Sequence, residues 1–112
     1  MPDAQITEGI DKAQQIEKAY DAINYYAMKL SIDLQNGRKN ELRSTFEELR
    51  YGFVGMYAMV KHHPEFNPKL KKEIDNWRKA RTGRTLPLQY YRYTLDLFDR
   101  FTDNLALIGL IK

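Results

Sequence analysis

The segment RKARTGRTLPLQYYRY, residues 78–93, gathers five cations, three tyrosines, one glycine and one proline into sixteen residues. Just upstream, Lys69, Lys71 and Lys72 extend the basic run, so that residues 69–84 hold seven cations against two carboxylates. Cations grouped in this way can approach a phosphate backbone together, and aromatic faces among them can stack on unpaired bases. The predicted nucleic-acid contacts are Lys69, Lys71, Lys72, Arg78, Lys79, Arg81, Arg84 and Arg92, with Tyr90 as the aromatic member. A helix opening near Pro87 adds unpaired N–H groups and a positive dipole end beside Arg84 and Thr85. The pattern is not specific. An acidic protein partner would meet the same cations, and lysines on the outer side of a short helix often form only a solvated face. The contacts are of phosphate type, so they carry no sequence preference.

Other chemistry is poorly supplied. Cysteine is absent, which excludes disulfides, a thiol nucleophile and a thiolate metal site and fits a reducing compartment. His62 and His63 are adjacent; on a helix they point about 100° apart, and no further histidine or cysteine completes a tetrahedral set. The expectation is no metal and no cofactor. Asp96, Asp99 and Asp103 share a helical stripe, but Arg92 and Arg100 stand four residues to either side of Asp96, which reads as surface pairing. There is no phosphate loop, dinucleotide fingerprint, serine elbow or metalloprotease motif. A non-catalytic protein is expected.

These residues need a scaffold, and the apolar spacing supplies an all-α one. Ile16, Tyr20, Ile23, Ala27, Leu30 and Leu34 are spaced 4-3-4-3-4, predicting a first helix over residues 6–35 that ends at Asn36-Gly37. Leu42, Phe46, Leu49, Phe53, Met56 and Val60 repeat the spacing, with Asn40 as N-cap and Pro64 as stop. Gly52 and Gly55 inside this second helix predict close approach of a neighbour, since each costs about 1 kcal/mol relative to alanine. Asn67-Pro68 opens a short third helix with Leu70, Ile74 and Trp77 inside. The fourth starts near Leu86-Pro87, with Leu88, Tyr91, Leu95, Phe98, Leu105 and Ile108 facing inward. A helix-turn-helix of the last two helices is a weak alternative, because only Gln89 and Arg92 would read bases. The chain of 112 residues is expected to form one domain, 1–112, a four-helix bundle able to bury a core without staples.

At 1.5 Å per residue the first helix would be about 45 Å long, the second about 33 Å and the third about 20 Å. Such unequal lengths predict either a break near Gly9 or a second chain covering the overhang. The apolar end LALIGLI, residues 105–111, raises the same question, and Leu107, Leu110 and Ile111 are predicted to form an oligomer interface. Seven residues cannot cross a bilayer, which takes about twenty. Residues 1–10 carry two acids and no base, unlike a signal or transit peptide, so a soluble, cytoplasmic protein is expected.

Charge is unevenly spread. Residues 1–36 are net −3 and residues 69–84 net +5, within a total of +3. An acidic first helix packed facing the basic third would neutralise it. The favoured expectation is a binding module that contacts nucleic acid through residues 69–84, as a homo-oligomer or within a nucleoprotein complex. The alternative is a structural or protein–protein interaction subunit that assembles through apolar surface of the first helix and the end of the fourth.

Overall fold

The computed structural model describes residues 2–79 and 87–111; for residues 2–13 it describes the helical backbone alone. Four helices follow one another: α1 (Pro2–Asn36), α2 (Lys39–Val60), α3 (Pro68–Lys79) and α4 (Leu88–Leu107). No strand occurs among the described residues. The all-α bundle read from the apolar spacing is the observed architecture.

Gly37 takes a φ of 68°, and the Arg38 N–H reaches back to the Asp33 carbonyl at 3.0 Å. That closes α1 as predicted. Only two residues then separate α1 from α2, so the two helices pack side by side. At the start of α2 the prediction fails by two residues. Lys39 opens the helix after Arg38, and no side chain caps it. Asn40 lies inside the first turn. Asn67 caps α3 as expected, its Oδ1 accepting the N–H groups of Lys69 at 2.9 Å and Leu70 at 3.2 Å. α2 ends at Val60, ahead of Pro64, and the following turn drives Phe66 into the core.

All six residues of the predicted α2 seam are buried. Phe53 is where three helices meet: its ring lies 4.8 Å from Trp77 of α3 and 5.3 and 5.0 Å from Phe98 and Phe101 of α4. Burying a side chain of this size stabilises by about 1.5–3 kcal/mol. Trp77 is locked further by its indole N–H, which donates to Thr94 Oγ1 at 2.9 Å in the buried interior. On α1, Ile16, Ile23, Ala27 and Leu30 are buried against the same core.

On α4 the prediction needs correcting. Leu88 is exposed, whereas Thr94, Leu97 and Phe101 are buried. The inward stripe is wider than an i, i+3, i+7 row because α4 packs against both α3 and α1. The helix ends at Leu107. Gly109 has a φ of 82°, and the N–H groups of Leu110 and Gly109 bond back to the carbonyls of Leu105 and Ala106 at 2.8 and 3.1 Å. This left-handed cap turns the chain inward. Ile111 is only 6% exposed and belongs to the core, and Leu110 packs against it. Ile111 is therefore corrected from interface to core residue. Leu107 stays 83% exposed.

α1 runs unbroken through Gly9, so the overhang is not removed by a kink. At 35 residues it is about 52 Å long against about 33 Å for α2. No helix among the described residues is long and apolar enough to cross a membrane.

Candidate nucleic-acid interface

Trp77, Ile74 and Leu70 point α3 into the bundle, and the helical period then fixes where its cations go. Lys72 and Lys79 fall opposite the buried stripe and are exposed. Lys71 and Arg78 fall on the flank toward α2 and are half-buried. Lys69 falls on the other flank, in a groove lined by Leu70, Glu73, Arg100 and Asp103. The five cations therefore cover the outer surface of α3 rather than one narrow line.

What neutralises them is the deciding question. Among the described residues, ion pairs use Lys29, Arg38, Arg43 and Arg100 as the basic partners, and none uses a cation of α3. The two carboxylates inside the run are engaged elsewhere. Glu73 accepts both Arg100 Nη groups, at 2.7 and 2.8 Å, and the Tyr93 hydroxyl at 2.9 Å. The Arg100 guanidinium holds the Glu73 carboxyl below its ordinary pKa, with the Tyr93 hydrogen bond adding to it, against a smaller push from burial. Asp75 Oδ1 accepts the Tyr57 hydroxyl at 2.8 Å. Burial, and then the Asp75 carboxylate, push that phenol well above its usual range. Among the described residues the acids of α1 do not compensate α3 either: Asp33 pairs with Lys29 and Arg38. No ion pair between α1 and α3 occurs among the described residues.

Between α2 and α3 lies a cavity of about 380 Å³. Arg43, Glu47, Arg50 and Arg78 supply its charged lining, and Phe46, Tyr51 and Val54 its apolar lining. Arg50 ties the two helices together. One of its terminal nitrogens donates to the Arg78 carbonyl at 3.0 Å, and its guanidinium lies 5.6 Å from the Trp77 ring centroid. Arg43 Nε donates to Glu47 at 3.2 Å.

Two predicted contacts are not brought to this surface. Arg92 is exposed on α4 in the stripe of Asp96, Asp99 and Asp103, a different flank from the one that sends Tyr93 and Arg100 to Glu73. Tyr90 is a packing residue rather than an open platform. Its ring stands edge-on to Phe46 at 5.6 Å, and its hydroxyl is buried with no hydrogen-bond partner among the described residues. Arg81 and Arg84 lie outside the described residues. Sequence reading missed Arg43, Arg50 and Tyr51. Their signal was present, since all three occupy the positions that the α2 seam leaves outward, but they stand 18 to 26 residues ahead of the basic run.

His63 Nδ1 accepts the Glu65 N–H at 3.1 Å, a local turn contact. Among the described residues no three of His, Cys, Asp and Glu converge as metal ligands would. Comparison with protein-family models, curated proteins and solved structures gives no match.

Proposed function

We propose that this protein is a non-catalytic module that binds nucleic acid through the outer face of α3 and the adjoining groove toward α2. One observation carries the reading. Both carboxylates of the basic run are bonded to α2 and α4, and none of its described cations is ion-paired. Such a face offers uncompensated positive potential, and association with a polyanion gains from counterion release.

The test is anisotropy of a labelled oligonucleotide across a salt series. Four phosphate contacts give a log–log slope of roughly −3 to −4. Replacing Lys71, Lys72, Arg78 and Lys79 together by glutamine should remove most of the binding and flatten the slope, with the helical circular dichroism unchanged. No binding by the wild type at low salt sinks the reading.

A second reading rests on a separate observation. Tyr25, Met28 and Ile32 are spaced 3-4 on the outer face of α1 and are 61, 58 and 48% exposed. A row of apolar side chains on one helix face is the form that helix–helix association takes. It favours assembly of two copies through α1, which is compatible with the first reading.

A further inference from the structure

Most rings of this protein are inside it. Trp77, Tyr57, Tyr91 and all five phenylalanines are buried, and Tyr90 is half-buried. Tyr51 is the opposite case: it is 83% exposed and makes no ring contact among the described residues. It lines the same cavity as Arg43, Arg50 and Arg78. An aromatic face in water, an apolar recess beside it, and three guanidinium groups of which Arg43 is held by the Glu47 carboxylate form one arrangement. A flat apolar group joined to an anion would use each part: the ring for stacking, Phe46 and Val54 for apolar contact, and Arg78 with the neighbouring α3 lysines for the charge.

We propose that the Tyr51 cavity receives an unpaired base of single-stranded nucleic acid, whose phosphates run along the cations of α3. The inference rests on the nucleic-acid reading and deepens it, because it names the strand form. A duplex keeps its bases stacked inside and presents only backbone to a convex helix, so Tyr51 adds nothing to it. A single strand can turn one base out onto the ring. Stacking is tolerant of base identity because every base has a π-face, which agrees with a surface that offers few base-reading groups.

The experiment compares a fluorescein-labelled 20-nucleotide oligothymidine with a 20-base-pair duplex in 50 mM salt, using wild type, Tyr51→Ala and Tyr51→Phe. Wild type should bind the single strand more tightly. Tyr51→Ala should weaken that binding roughly 5- to 150-fold, the range that one base–aromatic stack commands. It should leave duplex binding within about twofold, and Tyr51→Phe should behave as wild type. At 83% exposure the residue is not needed for folding, which unchanged thermal melts would verify. Equal losses for both probes, or no loss on the single strand, overturn the stacking while leaving the cationic face as a nucleic-acid binder. Equal displacement of the single strand by polyglutamate at matched charge also overturns it, since that ligand has no base. A wild type that binds neither probe removes the nucleic-acid reading itself.

Discussion

Gly52 and Gly55 lie three residues apart in α2, yet the bundle treats them differently. A Cβ at Gly52 would stand 2.5 Å from Ile23 Cγ1 of α1, whereas one at Gly55 meets nothing within 4 Å. Only Gly52 marks a close approach. Gly55→Ala should therefore stabilise by about 0.5–1 kcal/mol through helix propensity and a less flexible unfolded chain. Gly52→Ala should destabilise by about 1–3 kcal/mol, because overpacking outweighs the same propensity gain. Adding Ile23→Ala to Gly52→Ala should recover part of that cost, giving a coupling in urea denaturation that the Gly55 variant lacks. The sequence contained both glycines but not the difference between them. Helix spacing says which face a residue occupies, while the distance to the next helix depends on how α1 and α2 cross.

Between elements, the joint of α3 and α4 is electrostatic as well as apolar. Glu73 receives a two-pronged bond from Arg100, a geometry stronger than a single contact. Both side chains are about a third or more exposed, so solvent screening limits the gain to about 1 kcal/mol. Glu73→Gln should lower the melting temperature at pH 7 by roughly 4 °C. The carboxyl has a depressed pKa in the folded state. Its stabilisation is thus present above the unfolded pKa and lost as pH falls through the folded value. Wild type and Glu73→Gln should converge below that value. Asp99 runs the other way. Burial and then the Asp103 and Asp96 carboxylates raise its pKa. Its favourable contribution is present below the unfolded pKa and is lost as pH rises through the folded one. Asp99→Asn should stabilise by a few tenths of a kcal/mol at neutral pH and change little near pH 3. Of these contacts the aspartate stripe was legible in sequence, and the Glu73–Arg100 pair was not. Arg100 was read as a partner of Asp96 four residues away, a contact that exists at 3.0 Å. The bond to Glu73, 27 positions distant in sequence, needs the packing of two helices to be known. The elements themselves were legible, because the α1, α2 and α3 seams are regular and the glycine and asparagine caps are strong. The width of the α4 stripe was not, since it depends on how many neighbours that helix has.

On the scale of the whole molecule, no element among the described residues covers the outward stripe of α1, and its size limits what it can do. Tyr25 to Ile32 span about 10 Å of helix. A stable interface takes roughly 800 Å² from each partner, more than three side chains supply. Two copies joined through this stripe should therefore form a weak dimer, dissociating in the micromolar range, unless further turns of α1 join in. Sedimentation velocity over about 5–200 µM is the measurement. The sedimentation coefficient should climb with concentration in wild type and stay at the monomer value in Met28→Glu/Ile32→Glu. Both side chains are about half exposed or more, so the fold should survive the change. Leu107→Glu is the control at the other apolar site: it lies at the end of α4, beyond which the chain turns back into its own core. Loss of self-association in Leu107→Glu alone would move the interface from α1 to the C-terminal end. A concentration-independent monomer in wild type would leave the α3 face as the molecule's single proposed contact surface.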